Sequence, residues 1–165
     1  MDNQQRKLEE DLIWLGGFWC GEGTVTLTYR HKWRGRYSAL TPLLSIVNTE
    51  KALMEDAFSL FDRLGLAYYR QCVYTERDRQ TGRKARYSLI VAGMKRCVKT
   101  LAYLTPVLRG CKKQKAVDLA AFCASRLAKP PNAPIDAREI ELAEAIREGK
   151  FDSKSLTDYT PDSAT

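Results

Sequence analysis

Apolar and polar residues alternate strictly from Thr24 to Arg30. Val25, Leu27 and Tyr29 share one face, and Thr24, Thr26, Thr28 and Arg30 share the other. A period of two over this stretch predicts a half-buried strand with a polar working face. Before it, residues 4–20 read as a helix whose later part (Leu12, Ile13, Trp14, Leu15, Phe18, Trp19) is apolar on most sides and must be largely buried. A second strand is expected at about 37–47, with Pro42 favouring an edge position or a bulge. Asn48 or Thr49 can cap a helix over 50–64, where Leu53, Ala57, Leu60, Phe61 and Leu64 form one stripe and Gly65 ends it. Two more strands, 67–76 and 84–92, are joined by a loop centred on Gln80, Thr81 and Gly82. Gly93 precedes a helix over 94–104 that Pro106 stops, and a further helix runs from about Lys113 to Leu127.

Hairpins separated by helices predict an α+β fold, an antiparallel sheet with helices on one face. The polar alternate residues of the other face are then left for a partner. Lys129–Pro134, KPPNAP, reads as a stiff linker, residues 136–149 have helical periodicity (Ile140, Leu142, Ala143, Ile146), and the last fifteen residues are expected to be loose. The expected division is therefore a core domain over 1–129, then a Pro-rich linker, short acidic helix and loose tail over 130–165.

Composition removes several classes. Of 165 residues 44% are hydrophobic and 28% charged, which is globular usage. No run of 18 apolar residues exists, so no membrane partner is expected, and the polar N-terminus does not read as a signal peptide. Five scattered cysteines with no CxxC pair, and a lone His31, fit free thiols in a reducing intracellular compartment better than disulfides or zinc. The net charge of +7 is uneven: residues 130–165 carry −4, so residues 1–129 carry +11. The excess falls into three blocks: Arg30–Arg36, the residues around Arg70, Arg77, Arg79, Arg83, Lys84 and Arg86, and the acid-free run Lys95, Arg96, Lys99, Arg109, Lys112, Lys113, Lys115. Cations interleaved with Trp and Tyr are the footprint of a polyanion ligand, nucleic acid above all.

The stretch WLGGFWCGEGTVTL, Trp14 to Leu27, holds Gly16, Gly17, Gly21 and Gly23 at a helix-to-strand junction. Each glycine inside the helix costs about 1 kcal/mol relative to Ala, and close approach of a second helix is the usual compensation. Glu22 is the only carboxylate there, and strand parity puts it on the side of Thr24, Thr26, Thr28 and Arg30. A carboxylate heading a basic, polar face is poorly placed to bind phosphate alone and well placed to hold a divalent cation against one. Gly21-Glu22-Gly23 is no P-loop, since no GK[ST] follows, so no nucleotide cofactor is expected.

Leu15-Gly16-Gly17-Phe18-Trp19-Cys20-Gly21-Glu22-Gly23 resembles the motif of the LAGLIDADG homing endonucleases, and the αββαββα order that follows matches that family's core. The resemblance covers roughly residues 8–127, with Cys20 standing where the motif usually has its first acid. It implies a four-stranded antiparallel saddle-shaped sheet, with extra helices at the C-terminal end. With one motif copy, it implies a homodimer whose motif helices pack together through Leu12, Leu15, Gly16 and Trp19. It further implies that two copies of Glu22 hold Mg²⁺ at the scissile phosphates of a DNA duplex, with Mn²⁺ able to substitute and Ca²⁺ supporting binding without cleavage. Lys113 (or Lys112, the spacing from Pro106 being ambiguous by one) matches a basic residue near the cut phosphate. Asn48, Thr49 or Glu50, with Glu50 preferred, matches a polar side chain that positions water. The implied activity is site-specific cutting of both strands, leaving 3′ extensions in a long pseudo-palindromic site and starting intron mobility, in a bacterial cytoplasm or an organelle. The rival is a catalytically inactive RNA maturase or DNA-binding regulator of the same fold.

Strand parity nominates the duplex contacts: Thr24, Thr26, Thr28 and Arg30 on the first strand, Tyr68, Arg70, Cys72 and Tyr74 on the third, Arg86 and Ser88 on the fourth. Loops 31–36 and 77–84, carrying Lys32, Arg34, Arg36 and Arg83, extend that reach, and Lys112 lies near the cut.

Overall fold

Strand parity is the ordering device of the chain, and the sheet it builds is four-stranded and antiparallel throughout, in the order β1-β2-β4-β3. The computed structural model describes residues 3–30, 39–131 and 133–147. Its elements are α1 (Asn3–Glu22), β1 (Gly23–Arg30), β2 (Ala39–Asn48), α2 (Lys51–Arg63), β3 (Tyr69–Val73), α3 (Glu76–Gln80), β4 (Arg86–Ala92), α4 (Met94–Leu104), α5 (Gly110–Leu127) and α6 (Ala137–Arg147). Lys32, Arg34, Arg36 and the tail beyond 147 lie outside the described residues, as does the side chain of Arg30.

On one side of the sheet Val25, Leu27, Leu40, Leu44, Ile46, Leu89 and Val91 are buried, and register puts them side by side, Leu44 against Val91 and Ile46 against Leu89. The helices pack on this side: α1 against β1, β2 and α4, α2 against β2 and β4, α4 against α5, and α5 and α6 against β1. The opposite side, the open face, carries Thr24, Thr26, Thr28, Ser45, Val47, Ser88 and Ile90. Burying alternate residues of each strand under one helical layer is what leaves this second face bare.

Three expectations are corrected. β2 is a central strand, not an edge. Pro42 is tolerated because β4 pairs only with Leu43–Asn48, so at Pro42 the strand has β1 alone as neighbour. The expected loop around Gln80–Gly82 contains a helical turn, α3, nucleated by a Thr75–Asp78 capping box. α5 begins at Gly110, three residues before the expected Lys113. The short helix expected after 130 is α6, and its Ala143 and Ile146 belong to the same buried core as the sheet. The segment read as a linker is tied back as well: Arg126 donates to the Ala133 carbonyl at 3.0 Å, and Lys129 pairs with both Asp136 and Glu139.

Glu139 is the keystone of that attachment. Fully buried, it accepts from Ser125 Oγ at 2.8 Å, the Asp136 N–H at 3.1 Å and Lys129 Nζ at 2.9 Å, with Arg126 at 3.4 Å. Burial pushes its carboxyl up, but the bonds from Lys129, Ser125 and the Asp136 N–H, with the charge of Arg126, outweigh that and hold it below the ordinary glutamate range. A depressed acid stabilises the fold above its unfolded pKa, and that stability is lost as pH falls through the folded value. Glu139→Ala is expected to cost about 3 kcal/mol at pH 7. In urea unfolding the gap to the parent protein should narrow as pH falls below about 4; a gap independent of pH would refute the charge's role.

Two glycines are required by packing. A Cβ on Gly16 would lie 2.7 Å from the Val107 carbonyl oxygen, and one on Gly23 would lie 2.2 Å from the ring of Trp19, which is itself sealed in the core and stacked on Phe61. Gly16→Ala and Gly23→Ala are each expected to destabilise the chain by about 1–3 kcal/mol, read as a lowered urea midpoint.

Candidate nucleic-acid interface and catalytic corner

Glu22 is the last residue of α1, exposed, with no hydrogen bond or ion pair among the described residues. Its direction is set by the helix end, not by the parity of β1. Gly23 pairs with Ile46, which brings Glu22 to the end of the sheet where β2 closes at Val47 and Asn48. At this corner Asn48 Oδ1 accepts the Glu50 N–H at 2.8 Å, so Asn48 shapes the entry to α2 while Glu50 occupies the N-cap without a side-chain cap bond.

A cation is fixed at the same helix end. Lys112 reaches from α5 and donates to the carbonyls of Trp19 at 3.0 Å and Cys20 at 2.7 Å, which otherwise lack helical partners. An ammonium at a helix C-terminus is favoured by the dipole. Of the two lysines that the spacing from Pro106 left open, the fold brings Lys112 to the α1 terminus, while Lys113 is exposed on α5. Lys112 has three donors, two of them engaged here.

The open face carries Thr24, Thr26, Thr28 and Arg86 as expected; Ser88 shares its parity but is buried, which takes it out of reach of a duplex, and for β3 the expectation is corrected. Arg70 pairs with Leu89 and Cys72 with Tyr87, so both point toward the helix side. Arg70 is bound to α2: it lies 2.7 Å from Asp62 and 3.8 Å from Glu55, with its guanidinium 4.5 Å from the centre of the Phe58 ring. Tyr68 donates to Asp62 at 2.9 Å and packs on Phe58, and burial raises its phenol pKa. Tyr68 and Arg70 therefore brace the edge of the sheet on its helix side, and Cys72 is exposed there. Tyr69, Gln71 and Val73 are the residues β3 gives to the open face, and they were missed. β3 is a five-residue edge strand, almost wholly exposed, so neither parity carries a burial signal; only the Gln71–Ser88 register decides. Arg96 was missed too. It extends from α4 to donate to Tyr69 Oη at 2.5 Å and lies 5.2 Å from that ring's centre.

Much of the basic charge is absorbed locally. Lys99 donates to the Gly65 carbonyl at 2.7 Å, where the chain leaves α2 through a φ of 61°. Arg79 pairs with Glu76, and Arg86 lies 3.6 Å from Asp78. The hydroxyl and N–H of Thr75, against the effect of burial and with help from Arg86 and Arg83, hold the Asp78 carboxyl below the aspartate range. Tyr74 and Arg83, expected on the duplex, line an open cleft with Glu50. All five cysteines are free, and burial pushes the thiols of Cys97 and Cys123 up to about 12, leaving them unreactive.

The expected association face of α1 is also corrected. Leu15, Gly16 and Trp19 are buried within their own chain and Leu12 is half-buried. The face left bare is Ile13 (67% exposed), Trp14 (36%), Gly17 and Gly21. Nothing lies within 4 Å of where a Cβ on Gly17 or Gly21 would sit. Ile13, Gly17 and Gly21 are four apart and form one stripe, along which a second backbone can approach closely.

No protein-family model matches the chain, and no curated protein matches it. Solved structures do. The homing endonuclease I-CvuI, in complex with its target in the presence of calcium, is 15% identical with a TM-score of 0.61, over 96% of this chain and 88% of that one. The archaeal intron-encoded homing endonuclease I-Vdi141I, complexed with DNA, is 15% identical with a TM-score of 0.66, over 90% of this chain and 94% of that one. The LAGLIDADG homing endonuclease I-GzeII, in complex with its DNA target, is 11% identical with a TM-score of 0.60, and the match takes in 90% of this chain but only 48% of that one. What they share with this chain is the fold.

Proposed function

We propose that this chain, which has the fold of the LAGLIDADG homing endonucleases, is a site-specific DNA endonuclease that acts as a homodimer on both strands of a long pseudo-palindromic duplex. The observation that carries the reading is Glu22. A carboxylate that is exposed and unpaired among the described residues closes a glycine-rich helix at the corner of the open sheet face, beside an ammonium held by the carbonyls of that same helix. A binding module gains nothing from an acid turned toward phosphates.

The donor chemistry fits a hard divalent cation, on one condition. Among the described residues no three His, Cys, Asp or Glu side chains come together, so one chain does not complete a site. Magnesium is commonly held by one or two carboxylates plus substrate phosphates, which Glu22 from two copies and the duplex would provide. When bound there, the ion supplies Lewis acidity to the phosphoryl oxygen. Mg²⁺ is the expected ion, with Mn²⁺ substituting and Ca²⁺ supporting binding alone. Glu22 would hold the ion, and Lys112, fixed at the helix end, would place positive charge where the phosphate gains negative charge. Lys113 on the surface of α5 would contact the backbone farther out. Thr24, Thr26, Thr28, Arg86, Tyr69 and Gln71 would lie along the groove and read base edges.

Dimerisation is supported by the bare stripe of α1, and by a two-to-one length relation with I-GzeII, about half of which this chain covers. A cut leaving 3′ extensions and initiating intron mobility completes the reading. The test is incubation with Mg²⁺ and a duplex joining the flanks of the host intron. Double-strand breaks at one position are expected; binding without breaks at any salt would leave the maturase or regulator as the function. No helix among the described residues is long and apolar enough to cross a membrane.

A further inference from the structure

The backbone of β1 has an outward side, and Pro42 shows which residues form it. The Pro42 carbonyl accepts the Gly93 N–H at 3.3 Å, so it points toward the β4 end of the sheet. Backbone groups alternate sides along a strand, so Thr41, Leu43 and Ser45 bond toward β1, where register sets Thr28, Thr26 and Thr24 against them. The N–H and C=O groups of Val25, Leu27 and Tyr29 are then turned away from β2. Because β1 is an edge strand, they form a row along the rim of the sheet. Eight residues long, alternating, and rich in Val and Thr, this edge is of the kind that templates another strand. The opposite edge, β3, is five residues long with Arg70 among them, and shortness and charge blunt it.

The end of α6 meets this row at its middle. Arg147 donates from Nη1 to the Leu27 carbonyl at 2.8 Å, an oxygen that the Thr26 hydroxyl also reaches at 3.5 Å. The helix that delivers Arg147 is anchored along its length. Ala143 and Ile146 are buried with the apolar residues of the sheet, and Glu139 is held by Ser125, Lys129 and Arg126. Ile146, the neighbour of Arg147, is 1% exposed, so the guanidinium is carried to β1 by a packed residue. A strand adding to the edge about Leu27 would need the carbonyl that Arg147 holds. A second copy's β1 fits there by symmetry. Antiparallel about Leu27, Val25 of each copy stands opposite Tyr29 of the other, and all three outward residues pair in register.

We infer that α6 is an edge strap: Arg147 occupies the centre of the outward hydrogen-bonding row of β1 and keeps it closed to the β1 strand of a second copy. With the strap released, the sheets of two copies join edge to edge. This association is separate from one along the bare stripe of α1, and it does not rest on the endonuclease reading.

The test is sedimentation of the full chain, each variant against the parent at the same concentration. Arg147→Glu sets a carboxylate against the Leu27 carbonyl, Arg147→Met keeps the stem without the donor, and Arg147→Lys keeps a donor. Between about 1 and 100 μM the mass of Arg147→Glu is expected to rise to twice that of the parent, with Arg147→Met rising less. Arg147→Lys should stay with the parent. Adding Tyr29→Pro removes one outward N–H and no bond to β2, and is expected to abolish the rise. Slow amide exchange at Thr24, Thr26 and Thr28 shows that the sheet itself is intact. Where Arg147→Glu loses that protection, Arg147→Met carries the decision. Parent mass for a folded Arg147→Met at the highest concentration would overturn the strap. So would a rise that persists with Tyr29→Pro, since the copies would then be meeting elsewhere.

Discussion

Glu22→Gln is expected to abolish strand cutting, by at least about 10³-fold, while leaving affinity for the duplex in Ca²⁺ within a small factor of the parent. On the proposed reading Glu22 is one of the carboxylates that would hold a Lewis-acidic ion, and its loss would remove several kcal/mol of charge stabilisation from the transition state, each 1.36 kcal/mol being tenfold in rate. The substitution is isosteric, and Glu22 is exposed without a partner among the described residues, so no packing is disturbed. Nor does the amide discard a phosphate contact, since a carboxylate makes none. Undiminished cutting by the variant would refute the metal role; equal loss of cutting and of binding would show that Glu22 acts by holding the duplex. Lys112→Met gives a second view of the same corner. It leaves two α1 carbonyls without their ammonium donor, so a fall in cutting accompanied by a lower melting temperature would mark its dual position.

Gly17→Leu is expected to yield a chain that folds, sediments as a monomer at micromolar concentration, and cuts at least about 100-fold less. Gly17 is exposed and has nothing within 4 Å of its missing Cβ, so the Cβ of a leucine enters open space and the substitution gains about 0.8 kcal/mol of helix propensity. A second helix approaching along Ile13, Gly17 and Gly21 would meet that side chain head-on. The two readouts therefore move in opposite directions, with unfolding resistance held or raised and association lost. Gly16→Ala does the reverse, because its Cβ would strike Val107 within the same chain. A Gly17→Leu protein that remains dimeric and fully active would place the association surface elsewhere.

The contrast between two adjacent glycines shows what pattern alone can and cannot tell. The helical period, the apolar run and the three glycines of α1 were legible, and so was the need for close approach by something. Which glycine faces which neighbour was not, because Val107 comes from a turn ninety residues away and Phe61 from another helix. The same holds on β3. The sequence YRQCV is polar or aromatic at almost every position, so no alternation reveals its buried side, and parity came out one residue off. α2 decided the matter, its Asp62 and Glu55 drawing Arg70 to the helical side.

Sequence by itself determined whatever depends on local period and local chemistry. That covers the polar and apolar faces of β1, the alternation of hairpins and helices, the helix stops at Gly65 and before Pro106, and a lone acid at a glycine-rich helix end. These follow from spacing, because a residue's face is set by its position in a repeat of two or 3.6. Tertiary structure alone decided which stripe of α1 stays bare, which of two adjacent lysines reaches the helix end, and that α6 joins the core through Glu139. Each of those outcomes depends on a partner far along the chain, and a linear pattern holds no record of the partner until the layers are packed.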